Sequence, residues 1–148
     1  MDVEYAVLER VLEPYFSHCR YLRSATVEGS SATGVFSVER SPYVRGTGHL
    51  NAADFIVCYN QLAFVFFAQV SCGDESQLAG FCRDQLTEMF IVGMDDVRFR
   101  KPVDPGLFGA RMDLVQTFER GSVLFADTNF DVDSGKQRAR VRVARMVK

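Results

Sequence analysis

The stretch from Gly48 to Gly73, GHLNAADFIVCYNQLAFVFFAQVSCG, decides the fold. Between Phe55 and Val70 only Asn60, Gln61 and Gln69 break an otherwise apolar run. A helix that is apolar on every side belongs inside a protein or inside a membrane. A membrane span asks for about 18 uncharged apolar residues, whereas this run holds amides in its middle and Asp54 near its start. It is read as one long buried helix with the rest of the chain wrapped round it, and no membrane is expected as a partner. Amides inside such a helix are costly, roughly 1–3 kcal/mol for each one left unpaired. The partners of Asn60 and Gln61 therefore matter.

Upstream, Ser41–Asn51 (SPYVRGTGHLN) carries Pro42, Gly46 and Gly48 and reads as a loop feeding the helix. Before it, Cys19–Glu28 and Ala32–Glu39 are rich in Val, Thr, Tyr and Phe around a Gly-Ser-Ser turn, a hairpin pattern. Val3–Phe16 places apolar residues at 3, 7, 8, 11 and 12, an amphipathic helix that stops near Pro14. Downstream, a polar connector follows Gly73, with a short helix expected around Gln77–Arg83. From Glu88 onward, β-rich runs broken by Pro-Gly, Arg-Gly-Ser and Asp-Ser-Gly turns read as a meander of long antiparallel strands. This order of elements predicts an α+β fold in a single domain, residues 1–148. A strongly curved sheet rolled round one apolar helix, the hot-dog fold, is the compact way to cover that helix. It implies a homodimer or higher homo-oligomer paired through a sheet edge.

The totals agree with this reading. The 148 residues suffice for a real core, and 47% hydrophobic with 24% charged residues is ordinary for a soluble globular chain. Thirteen Phe and five Tyr against no Trp suit a core or a pocket for apolar matter. A net charge of -2 argues against nucleic acid as a partner. Cys19, Cys58, Cys72 and Cys82 form neither a C-x-x-C pair nor a Cys/His ligand spacing, so no metal or cofactor is expected. Cys58 is read as a small buried thiol. The N-terminus, MDVEYAVLER, lacks the basic-then-apolar pattern of a signal peptide, which places the protein in a reducing cytoplasm.

The run GHLNAADFIVCYNQ resembles two kinds of hot-dog protein. It resembles loosely the hydroxyacyl-carrier-protein dehydratases, whose G-H-F-P loop His works with a carboxylate further along the helix. Here Asn51 replaces the Pro, and after Asp54 no acid appears before Asp74. An amide takes no proton at working pH, which speaks against dehydration. The closer resemblance is to the FcoT-like family of long-chain acyl thioesterases, in which a Tyr, then G-H-F-N, then C-Y-N-Q recur in this order and spacing. Tyr43, His49, Asn51, Cys58, Tyr59, Asn60 and Gln61 match; Leu50 stands where the family has Phe, and Ile56 where it has Asn. The resemblance implies catalytic roles for Tyr43, Asn51 and Asn60, with His49 or Asp54 as a base. Arg45, Tyr59, Gln61 and Phe64 are the expected substrate contacts.

That set offers hydrogen-bond donors and no obvious nucleophile. Donors aimed at a thioester carbonyl stabilise the oxyanion, one such donor being worth roughly 3–4 kcal/mol. The nucleophile then comes from outside. The simplest expectation is a thioesterase acting on fatty acyl thioesters of coenzyme A or an acyl carrier protein. The resemblance also implies an alternative, the conjugate addition of an amine such as glycine to a 2-enoyl thioester, with Arg45 receiving the amino acid's carboxylate. A non-catalytic acyl-binding protein is a third. At ~100° per residue, Asn51 and Asn60 lie on opposite faces if both are helical, and converge only if Asn51 sits in the loop. Asn51 or Asp54 equally suits the helix N-cap. In the last strand Arg138, Arg140 and Arg142 alternate with Ala and Val, which puts them on one face. That face is either solvated or docks an anionic carrier. Arg98, Arg100 and Lys101 form a second basic cluster with the same two readings.

Overall fold

The computed structural model describes residues 1–70 and 89–146. The short helix expected around Gln77–Arg83 lies outside the described residues. A first helix, α1 (Tyr5–Leu12), and a hairpin of β1 (Leu22–Glu28) and β2 (Ser31–Phe36) precede the long helix α2 (Ala52–Val70). Four long strands follow: β3 (Phe90–Phe99), β4 (Phe108–Arg120), β5 (Val123–Val132) and β6 (Gln137–Met146). All pairings are antiparallel, and the six strands form one sheet in the order β1-β2-β4-β5-β6-β3. This is the α+β, hot-dog arrangement.

The meander expectation holds for β4, β5 and β6 but not for β3. The near edge of β4 is occupied by β2, in a register that sets Ala32 against Met112 and Phe36 against Phe108. β3 crosses instead to the far edge and pairs with β6. There it is the outermost strand, with Phe90, Val92, Val97 and Phe99 between 41% and 51% exposed.

The apolar run becomes a core helix because the sheet gives it walls. Phe55, Cys58, Tyr59, Leu62, Ala63, Val65, Phe66 and Phe67 are wholly buried. By length and composition α2 passes for a membrane span, yet most of it is enclosed by protein. Phe55 meets Phe99 and Phe130 edge-on or tilted at 5.3 and 5.2 Å, and Tyr59 meets Phe130 at 5.3 Å. One stripe escapes cover: Ala53, Ile56, Val57, Asn60 and Phe64, at helical spacing, are exposed or half-buried.

The close fit of helix on sheet depends on Gly34 in β2. A Cβ there would stand 2.7 Å from Leu22 Cδ1, 2.9 Å from Phe36 Cε2 and 3.1 Å from Leu62 Cδ1. Two opposing effects act on Gly34→Ala: a better strand former replaces glycine, and a methyl is forced into a packed core. Overpacking costs about 1–3 kcal/mol, more than the strand gain of under about 1 kcal/mol. The variant is expected to unfold at lower denaturant concentration than the parent. Equal urea midpoints would mean that Leu22 and Leu62 step aside without cost.

Candidate active site

The N-terminus of α2 is built by Asn51. Its main-chain carbonyl accepts the first helical bond, from Phe55 N–H at 3.0 Å. Its side-chain Oδ1 accepts from the Asp54 N–H at 2.8 Å, the N-cap geometry. The loop before it is tied down at both ends by the β3–β4 connection: Val38 N–H donates to Pro105 O at 2.7 Å and Leu50 N–H to Val103 O at 2.8 Å. The loop between those ties lines a cavity of about 930 Å³. Gly48, at φ 76°, supplies the left-handed residue that turns the loop into the helix.

Asp54 lies in the wall of this cavity and is 1% exposed. A buried carboxylate needs donors, and it has them. Tyr21 Oη donates to Oδ1 at 2.8 Å and Asn51 Nδ2 to Oδ2 at 2.7 Å. Asn51 Nδ2 also donates to Ser41 Oγ at 3.1 Å. These contacts fix the amide's orientation, because a flipped Asn51 would set its oxygen against a carboxylate. Burial, and then the bond to Asp54, push the Tyr21 hydroxyl far above the usual tyrosine range, so it stays a donor.

The cavity gathers Tyr43, Arg45, His49, Asn51 and Asp54, five of the sequence-derived residues. Tyr43 is 64% exposed on the rim. His49 Nδ1 lies 3.2 Å from Thr47 O. A carbonyl only accepts, so Nδ1 is the donor of this bond, and in the neutral ring Nε2 is the acceptor. Arg40 and Arg45 also line the cavity, and neither has a carboxylate partner among the described residues.

Four expected residues stand elsewhere. Tyr59 is in the core, where its hydroxyl meets Thr128 Oγ1 at 2.8 Å. Thr128 spends its own proton on Val141 O at 2.9 Å, so Tyr59 is the donor. Gln61 is wholly buried and acts as a staple: Oε1 accepts from the Tyr21 and Leu22 N–H groups at 3.0 Å each, and Nε2 donates to Cys19 O at 2.6 Å. It thereby aims Tyr21 at Asp54. Asn60 and Phe64 lie on the uncovered stripe of α2, outside the cavity wall. Asn60 makes no side-chain hydrogen bond among the described residues. Cys58 is a sealed core thiol that burial, and then the charge of Asp54, push well above its ordinary range.

The arginine stripe is on the outer face of the sheet, largely compensated. Arg142 Nε pairs with Asp127 at 2.6 Å and also covers the Phe118 ring; Arg138 pairs with Asp96 at 3.3 Å. Arg98 pairs with the same Asp96 at 2.9 Å. Arg140 stands in register between Asn129 and Asp95. Among the described residues no group of three or more His, Cys, Asp or Glu is arranged to hold a metal. Two site residues escaped the sequence reading, Tyr21 and Ser41. Tyr21 lies thirty-three positions from Asp54, and nothing local marks either one.

Comparison with known proteins adds to this. The model of a family described as FcoT-like thioesterase domain matches residues 10–145. A protein of Mycobacterium tuberculosis named (2E)-enoyl-[ACP] glycyltransferase is 41% identical over 117 residues, covering 72% of this chain and 63% of that one. The chain thus spans a little under two thirds of the mycobacterial relatives it matches. A protein of Streptomyces coeruleorubidus with the same name is 35% identical over 88% of this chain and 90% of its own. Among solved structures, zebrafish thioesterase superfamily member 2 superposes with a TM-score of 0.60 at 12% identity, covering 97% of this chain and 94% of that one. It shares the fold.

The Tyr21–Asp54 bond makes a pH prediction. A hydroxyl whose folded value is raised gives its full stability below the unfolded value, about 10, and loses it as pH climbs toward the folded value. Unfolding free energy is expected to fall above about pH 10, and less steeply in Tyr21→Phe. The check is denaturant unfolding on either side of that pH. Parallel slopes in the two proteins would mean that Tyr21 ionises as freely folded as unfolded.

Proposed function

The chain belongs to the FcoT-like thioesterase domain family, and from that premise we propose that it adds an amino acid, most simply glycine, to the β-carbon of a 2-enoyl thioester on an acyl carrier protein. The names of the relatives favour this over the hydrolysis that the sequence makes the simplest expectation. The observation that carries it is the pairing, in one cavity, of a buried carboxylate with cations that lack carboxylate partners among the described residues. An amino acid brings the matching charges. Its carboxylate meets Arg45, where a guanidinium fork gives two parallel bonds, and its ammonium is drawn toward Asp54.

The amine must lose a proton before it attacks. His49 Nε2, freed by the bond at Nδ1, is the acceptor. Nitrogen then bonds to the β-carbon, the π electrons move onto the thioester as an enolate, and the α-carbon takes up a proton. Donors near the thioester oxygen lower the barrier because the charge grows there. Hydrolysis is the second reading, favoured by the family's description alone.

Asn60 and the outer strand β3 point to assembly. The stripe of α2 with Ile56, Asn60 and Phe64 is uncovered, and β3 presents an open edge with half-exposed apolar side chains. A second copy paired along β3 would cover both and bring one subunit's Asn60 toward a shared site. A mass near twice 16.7 kDa by light scattering is expected; a monomer at micromolar concentration would remove the shared site.

The function itself is tested by incubating the protein with glycine and a 2-enoyl carrier protein, then weighing the carrier intact. The expected product is the carrier heavier by one glycine. A free carrier thiol, with or without glycine, would return the assignment to hydrolysis. Asn60→Leu is expected to fold at least as well as the parent, because its amide braces nothing among the described residues, and to turn over about a hundredfold more slowly.

A further inference from the structure

We propose that the Ser41 hydroxyl is a catalytic hydrogen-bond donor to the substrate's thioester oxygen. This rests on the reading that the cavity takes an acyl thioester. Ser41 is half-buried in the cavity wall. Its oxygen accepts two hydrogens, from the Tyr43 N–H at 3.2 Å and from Asn51 Nδ2 at 3.1 Å. Both of its lone pairs are thereby taken. Neither partner accepts in return: the first is a main-chain N–H, and the second is an amide nitrogen whose orientation Asp54 fixes from both sides. The hydroxyl's own proton has no acceptor among the described residues. Ser41 lines the cavity, so an acceptor placed there is within its reach.

A hydroxyl that receives two N–H bonds is polarised and donates more strongly than a free one. It is a donor and not a nucleophile, since the Asn51 amide that touches it takes no proton. During addition the proton stays on Ser41 Oγ while the new C–N bond forms and negative charge collects on the thioester oxygen. The carboxylate of Asp54 acts at one remove. It holds Asn51, and Asn51 holds Ser41 in its donating rotamer.

The test separates donation from bracing. Wild type, Ser41→Ala and Ser41→Thr are loaded with a saturated acyl-pantetheine labelled with carbon-13 at the carbonyl, and its infrared stretch is read by isotope difference. The expected result is a band shifted to lower frequency in wild type and in Ser41→Thr, and returned toward its position in water in Ser41→Ala. Turnover of Ser41→Ala on the 2-enoyl carrier falls about a hundredfold, as for loss of one oxyanion donor, with KM little changed. If Ser41→Ala does not fold, Ser41→Cys keeps the shape with a weak donor and is expected to lose the shift likewise. An unshifted wild-type band, or an Ala variant with the wild-type band and only a raised KM and lowered melting point, overturns the proposal. Wild type that polarises the carbonyl but adds no glycine counts against the addition reading alone and leaves Ser41 as a donor.

Discussion

The constraint on which the structure depends is the enclosure of a helix with no polar side. α2 cannot lie on a surface, so the sheet must curl until its concave face closes over Phe55, Tyr59, Leu62 and Phe66. A stripe of the helix is nonetheless left bare. The enclosure also fixes where chemistry can occur. Polar groups inside the wrap would each have to be satisfied, and those of Tyr59 and Gln61 are, by Thr128 and by the main chain of residues 19–22. The end of the helix remains, where unpaired N–H groups, a cap and a loop meet at a cavity.

At that end the arrangement centres on one charge. Asp54 is taken almost wholly out of water, which is tolerable for a carboxylate only when donors replace the lost solvent. Tyr21, Asn51 and the start of the helix do so. The bonds that satisfy the charge also orient the donors: Asn51 is held by its oxygen and its nitrogen together, and Tyr21 is delivered by the Gln61 staple. Stability and pre-organisation thus come from the same contacts, so changes at Gln61 reach the cavity without touching it.

Much of this was legible beforehand, and the reason is periodicity. The apolar run, the hairpin and the alternating strands state their local structure residue by residue; of the motif from Tyr43 to Gln61, Tyr43, His49 and Asn51 line the cavity and Tyr59, Asn60 and Gln61 do not. What failed to show was anything decided by distant partners. β3 reads as a meander strand because its sequence says only that it is a strand; its place beside β6 depends on β2 having taken β4. Tyr59 and Gln61 sit in the same motif as Asn60, yet the helical turn of ~100° per residue sends them to different sides. The arginines of β6 look like a basic face until β3 and β5 supply Asp96 and Asp127.

The choice between water and amine as the attacking group follows from what each demands. Water is a poor nucleophile near neutral pH, so hydrolysis needs a strong base against it and a proton for the departing thiolate. An amine is a good nucleophile once a single proton is gone. Addition to the β-carbon expels no leaving group, and its charge is relayed to the thioester oxygen. The cavity's carboxylate has each oxygen already engaged, by Tyr21 and by Asn51, and is almost wholly buried, so little of it is open to a water. In the proposed addition it stands as a counter-ion to the amino acid's ammonium while the Ser41 hydroxyl faces the growing negative charge. The same contacts hold Asp54 in place as a fixed charge, which is what the proposed addition asks of it.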